Sequence, residues 1–276
     1  MKLRSLGLWA LAFAITAGSA VWQRTSGPTY PVRGMIPCGG ETLRYRLPRS
    51  GDTGAALVVR IPACTAIAAA QLAWRRYPTD EPWRVVPMAA GPDGALEAAI
   101  PSQPPAGKVE YQLRLTGRTG GHTAAPDRAA VARFKGPVPA TLLVPHILAM
   151  FVGMLFSTRA GLGALGGDDR PIGPARSALA LIALGGLVLG PLVQRLAFGA
   201  LWTGWPFGGD LTDNKTAVAA LVWAWAVWRM RRGRPARAAV MTAALVTLAV
   251  FSVPHSAWGS ELRWADVPPS APGTGS

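Results

Sequence analysis

Apolar residues along this chain gather into five runs, at 6–22, 140–157, 178–198, 216–228 and 238–254. Residues 23–137 read differently, as short alternating segments broken by turn formers. The second, third and fifth runs approach the roughly 20 residues that a helix needs to cross hydrocarbon. The fourth, Thr216–Trp228, covers 13 residues and would rise about 20 Å, short of a hydrocarbon core about 30 Å thick. A spanning helix there has to begin near Thr212, drawing Asp213, Asn214 and Lys215 into its first turn. Thr212 or Asp210 suits the N-cap, and an aspartate in the first turn complements the positive helix end. Gly185, Gly186 and Gly190 in the third run permit close helix packing, while an aromatic belt explains Trp228 and, in part, Trp223 and Trp225.

Between the first two runs, strand character recurs at 42–46, Ala55–Ile61, Ile67–Tyr77, Trp83–Met88, Leu96–Ile100, Val109–Leu115 and Ala129–Phe134. Turn-forming stretches such as Gly91-Pro92-Asp93-Gly94 separate them. In Gln71-Leu72-Ala73-Trp74-Arg75-Arg76 the larger apolar residues alternate with others, as in a strand with one buried face. Seven strands at this spacing predict an antiparallel β-sandwich. The fold class expected is therefore an α+β membrane protein, an external antiparallel β-sandwich joined to a transmembrane bundle of four to five helices. Residues 1–22 form a signal anchor or a signal peptide, the latter suggested by the small residues Ala17, Gly18, Ser19 and Ala20. The β domain then covers 23–137, a four-helix transmembrane bundle 138–264 and a disordered tail 265–276. The run Lys108–Leu115, after a Pro-Gly turn, resembles a late strand of fibronectin type III or immunoglobulin-like domains, with Trp74 as their central core tryptophan. That resemblance concerns fold and implies no activity.

A formal net charge of +14 changes the picture less than its placement does. Lys2 and Arg4 precede the first run, Arg159, Arg170 and Arg176 follow the second, and Arg229, Arg231, Arg232, Arg234 and Arg237 follow the fourth. These sites alternate as the positive-inside pattern requires, which argues against nucleic acid as the partner. The expected location is a bacterial inner membrane, with the N-terminus cytoplasmic and residues 23–137 and the C-terminus periplasmic. Arg44, Arg46, Arg75 and Arg76 read as a solvated charged face of the external domain. Cys38 and Cys64 both fall in that domain, where an oxidising compartment favours a disulfide between neighbouring strands. A metal site on the two cysteines lacks partners, since His122 is that domain's single histidine.

The densest chemistry lies at 201–215, where Trp202, Trp205, Asp210, Asp213, Asn214 and Lys215 stand between two apolar helices. Lys215 is expected to pair with Asp210, Asp213 or Glu261. Ionisable groups at membrane depth are costly and line interiors or cavities, so this stretch is either a site or an interfacial clasp. Two matching tripeptides, Val144-Pro145-His146 and Val253-Pro254-His255, fall at the same outer surface by this topology. Each histidine is a metal or cofactor ligand, or an interfacial residue at a helix end. No Ser-His-Asp order, Gly-x-Ser-x-Gly elbow or His-Glu-x-x-His signature is present, so nothing supports a hydrolase.

A tryptophan-rich outer loop ending in an aspartate and flanked by histidines on other helices resembles haem-handling cytochrome c biogenesis membrane proteins, with their Trp-Trp-Asp type loop. The matching residues are Trp202, Trp205 and Asp210, with His146 and His255 flanking. This chain departs from the family in a shorter loop, sparser tryptophans and the inserted β domain. The resemblance implies haem, as haem b, ligated by His146 and His255, with aromatic stacking and Arg195 paired to a propionate. Without it, Arg195 snorkels to the interface. Three functions compete: a non-enzymatic multi-pass accessory or scaffold protein docking a membrane or periplasmic protein partner, a haem- or metal-binding cofactor-handling protein, and a transporter component using Asp213, Lys215 and Glu261. Cysteines introduced one at a time at Gly208 and Gly233 should label from opposite sides of the membrane; labelling from the same side would sink the five-helix topology.

Overall fold

A computed structural model describes residues 2–168, 171–254 and 262–267. The chain is mixed α+β and divides into two compact units, Met1–Pro28 with Val138–Ser260, and Thr29–Pro137 with Glu261–Ser276.

The β unit holds ten strands: β1 (Val32–Cys38), β2 (Glu41–Leu47), β3 (Ser50–Asp52), β4 (Leu57–Ile61), β5 (Ile67–Tyr77), β6 (Arg84–Pro87), β7 (Ala89–Ala90), β8 (Leu96–Ile100), β9 (Lys108–Gly117) and β10 (His122–Lys135). They form a β1-β2 hairpin, a five-stranded sheet ordered β3-β10-β9-β5-β6 and a three-stranded sheet ordered β4-β8-β7. The inward residues of all three sheets share one hydrophobic cluster, including Leu47, Val59, Leu72, Trp74, Ile100, Tyr111 and Phe134. Trp74 lies opposite Tyr111 across β5 and β9, and both are buried in this cluster. The β3–β10 pairing is parallel, which departs from the all-antiparallel expectation. β1 is a strand that periodicity misses, because Gly34 and Pro37 interrupt it. Gly34 is nonetheless required, since a Cβ there would run into the Tyr45 ring of its cross-strand partner.

Cys38 and Cys64 are bonded to each other, closing a separation of 26 residues. Cys64 stands in the connection after β4, not in a strand, so the bond ties a strand end to a loop. A loop of that length removes unfolded-state freedom equivalent to about 3 kcal/mol. Residues 262–267 pack on this unit, although the sequence grouping carries the helical part to 264. The Trp264 indole donates to the Tyr77 carbonyl at 3.0 Å, and the Arg76 guanidinium lies over its ring at 4.7 Å. Of the tail expected from 265 onward, the part beyond 267 lies outside the described residues.

The helical unit comprises α1 (Lys2–Ser26), α2 (Ala140–Leu165), α3 (Ile172–Ile182), α4 (Gly190–Phe198), α5 (Leu211–Arg231) and α6 (Arg237–Ser252). α3 and α4 are joined by a π-helical segment, Ala183–Leu189, into one continuous 27-residue helix. Pro191 explains the π segment. It has no N–H to donate backwards, and the Gly190 N–H reaches Gly185 instead, five residues earlier. Among the described residues three helices are long and apolar enough to cross a membrane: Leu3–Ser26, Ala140–Leu165 and Ile172–Phe198. α5 has the length but carries charges at both ends, and α6 has 16 residues.

Small residues fill this unit's core. Ala160, Ala164, Ala175, Ala178, Ala219, Ala226 and Ala243 are fully buried, which lets helix backbones approach. A Cβ at Gly186 would collide with the Thr216 methyl, and one at Gly185 would stand 2.7 Å from the Met150 sulfur, so both glycines mark helix crossings. Trp223 does not belong to an aromatic belt. It is fully buried, and its indole donates to Thr247 at 2.9 Å. Trp225 and Trp228 are half-exposed and carry Arg229, Arg232 and Arg234 against their rings. At that same end Arg4 donates to the Gly166 carbonyl, Arg159 to Ser5 and Arg237 to the Leu165 carbonyl. At the other end Gln23 donates to the Phe251 carbonyl and Ser19 meets Ser252.

Within the β unit, the buried Tyr111 hydroxyl donates to the Pro48 carbonyl at 2.5 Å, and burial pushes its phenol well above the ordinary range. A raised folded-state value means stability held below about pH 10 and lost as pH rises beyond it. Alkaline unfolding followed by circular dichroism should therefore steepen above about pH 10, and Tyr111→Phe should flatten that limb while costing about 1 kcal/mol at neutral pH.

Candidate functional site

Among the described residues, the buried charged groups of the helical unit converge where the loop 199–210 meets the first turn of α5. Asp210 is the N-cap, its Oδ1 accepting from the Thr212 amide at 2.8 Å. Two or three residues on, a carboxylate would ordinarily turn back to the cap. Asp213 instead reaches across to the loop. Its Oδ2 accepts from the Thr203 amide at 2.6 Å, the Gly204 amide at 3.0 Å and the Gln194 amide nitrogen at 3.2 Å. The Thr203 hydroxyl accepts from Gln194 at 2.7 Å and stands closer to Asp210 Oδ2, at 3.1 Å, than to Asp213 Oδ2, at 3.4 Å. Asn214 continues the pattern by accepting from the Trp205 amide at 2.7 Å. Gly204 must be glycine, because a Cβ would stand 2.6 Å from Asn214 Oδ1 and 2.7 Å from Asp213 Cβ.

Asp210, Asp213 and Lys215 are all buried, at 8%, 6% and 6% exposure, so their charges depend on these contacts. The Lys215 ammonium donates to the Val253 carbonyl at 2.7 Å, tying α5 to the end of α6. Asp210 is near enough to act on it electrostatically. The expected carboxylate pairing is thus replaced in part by a main-chain acceptor, the exposed carbonyl at a helix C-terminus. Glu261, the third expected partner, lies outside the described residues.

The structure joins Asp210, Asp213, Asn214 and Trp205 in one hydrogen-bonded cluster. Trp202 belongs to it through its indole, which donates to the Trp205 carbonyl at 3.1 Å. Sequence reasoning missed Gln194. Its signal was available, an amide within a helix of membrane-spanning length, where a polar side chain needs a partner. Arg195 is exposed on the last turn of α4.

His146 stands apart, on α2. Its Nδ1 is 2.8 Å from the Gly185 carbonyl within the π segment. A carbonyl only accepts, so Nδ1 carries the proton and Nε2 is the free lone pair. The ring helps line a cleft of about 170 Å³ with Ser19, Gln23, Met150, Met154 and Phe251. An imidazole oriented by a backbone carbonyl suits a ligand role. The cleft, however, falls below the roughly 300 Å³ at which sites for cofactor-sized molecules begin, so it does not fit a porphyrin as formed. His255 lies outside the described residues, and among the described residues no group of three His, Cys, Asp or Glu could hold a metal. What the cluster does chemically is satisfy a buried carboxylate and fold a loop against a helix end.

No family model and no curated protein matches this chain. Among solved structures it is similar to Astrotactin-2, described as a conserved vertebrate-specific and perforin-like membrane protein involved in neuronal development, at 12% identity and a TM-score of 0.24. The match covers 83% of this chain and 37% of that one. Agreement at that level carries no inference about fold or function.

Removing the Asp213 carboxylate should release the loop. Asp213→Ala should cost about 3 kcal/mol by orphaning the two buried amides and Gln194, and Asp213→Asn, which keeps an acceptor, about 1 kcal/mol. Thermal unfolding in detergent reads both, and chymotryptic cleavage after Phe207 should quicken in the same order.

Proposed function

We propose that this chain is a non-enzymatic, multi-pass membrane accessory or scaffold protein whose β unit, a sandwich of the immunoglobulin or fibronectin type III kind, docks an acidic partner protein. The observation carrying the reading is the exposed face of the β1-β2 hairpin. Arg33 lies directly opposite Arg46, and Met35 opposite Arg44, all four exposed. Like charges facing each other across strands destabilise a hairpin. Among the described residues no acidic side chain pairs with Arg44 or Arg46. A basic face held at a cost to the hairpin suits a partner of opposite charge.

The arginines gathered at one end of the helical unit support a cytoplasmic position for that end in a bacterial inner membrane, with the N-terminus inside and residues 23–137 and the C-terminus periplasmic. α5 and α6 cross in this reading too, their terminal charges at the two surfaces. The Cys38–Cys64 bond supports an oxidising compartment for the β unit. A second reading, a haem- or metal-handling membrane protein, draws on one observation, the Gly185-oriented imidazole of His146.

Crosslinking in native membranes should capture a stable partner, and the charge reversal Arg44→Glu with Arg46→Glu should abolish that capture. Recovery of monomer alone from wild-type membranes would overturn the docking function. The same protein, purified in mild detergent after expression with ample haem, should be colourless; a visible absorbance lost in His146→Ala would decide for the second reading.

A further inference from the structure

Trp205 and Phe207 are 79% and 82% exposed, and Leu201 is 43% exposed, at the tip of the loop that Asp213 holds. We infer that this tip is a lipid anchor, with Trp205 and Phe207 seated between the headgroups of the leaflet reached by the ends of α4 and α5. The inference rests on the membrane reading above and adds a function for the loop, which that reading treats only as a fold feature.

Three observations select lipid as the occupant. No charged residue occurs from Leu196 through Gly209, so the exposed surface offers apolar and aromatic groups without the charges by which a protein partner is steered and registered. The loop also does not project away from the helices. Thr203, Gly204 and Trp205 give their amides to Asp213 and Asn214, in the first turn of α5, so the tip lies level with a helix end. Helix α4 closes a 27-residue apolar helix about 40 Å long, more than hydrocarbon alone requires, which sets that level at the headgroup boundary.

The residue types agree with that depth. An indole has an apolar body and one donor, and it concentrates where hydrocarbon meets water. Phe207 has no polar atom, and its near-complete exposure makes sense where its surroundings are acyl chains. Arg195, exposed one turn before the loop, adds a cation at the height of anionic headgroups. Asp213 and Asn214 are then positioning residues, holding the main chain so that two rings face outward.

The test uses the full-length protein in vesicles of phosphatidylethanolamine and phosphatidylglycerol, its disulfide intact, with a nitroxide label on Phe207→Cys. Leu187→Cys, within the apolar helix, and Thr119→Cys, in the turn after β9, serve as references. Leu201→Cys reports on the tip with both aromatic rings retained. Collision with oxygen relative to a water-soluble nickel chelate reads depth. At 207 and 201 that ratio should be several-fold above the value at 119 and below the value at 187. Values at 207 and 201 equal to that at 119, with 187 still deep, would overturn the anchor and leave the membrane reading standing. A water-like value at 187 would overturn both. Labels at 207 and 201 that are immobilised and shielded from both reagents would mean a protein contact, and the lipid assignment would fall.

Discussion

One buried carboxylate organises the end of the helical unit where α4 finishes and α5 begins. Asp213 stands in the first turn of α5, where the helix leaves its own N–H groups unpartnered and favours negative charge. It spends its acceptor capacity on two loop amides and the Gln194 side chain. Those amides would otherwise be unsatisfied, and an unsatisfied donor buried among apolar helices costs about 1–3 kcal/mol each. The loop after α4 folds back as it does because this is the arrangement in which both sides of that deficit cancel. Lys215 then fastens the same turn to α6, so the position of the loop, α4, α5 and α6 at this end follows from a few polar contacts.

The two units bury apolar surface in different ways. The β unit uses large side chains, with Trp74, Tyr111 and Phe134 meeting at the centre of three sheets. The helical unit uses alanine and glycine, so contact is made largely by backbone, and Trp223, its one fully buried ring among the described residues, has its indole satisfied by Thr247. Lipid supplies little drive for helices to associate through bulk, and close approach with occasional polar bonds replaces it. The π segment belongs to the same economy of polar groups. Its Gly185 carbonyl serves both Gly190 and His146, so one acceptor satisfies a main-chain donor and a part-buried imidazole.

Much of this was legible in the residues, and the failures have identifiable causes. β5 and β8 match their expected bounds to the residue, since no turn former interrupts either run. β1 was missed because Gly34 and Pro37 look like turn residues, and Gly34 is there only to admit Tyr45 from the next strand. β10 was read from 129 onward, because Pro126 and a register shift between Ala125 and Ala130 disguise its first half. At the loop before α5, composition identifies Asp210, Asp213, Asn214 and Lys215 as a group. It did not give their partners, because main-chain donors and acceptors leave no mark in a sequence. The burial of Trp223 is illegible for a related reason: its partner Thr247 is 24 residues away, and nothing local distinguishes a buried indole from an interfacial one.

Arginines crowd one end of the helical unit, and the opposite end carries fewer cations, Arg24, Arg195 and a buried lysine tied to Val253. In the proposed orientation that asymmetry couples the protein to the membrane potential. Each elementary charge carried across a bilayer at 100 mV is worth about 2.3 kcal/mol. With the interior negative, the electric field holds Arg4, Arg159, Arg229 and Arg237 on the side where synthesis leaves them. In that orientation the energised membrane is itself part of what keeps the chain the right way round.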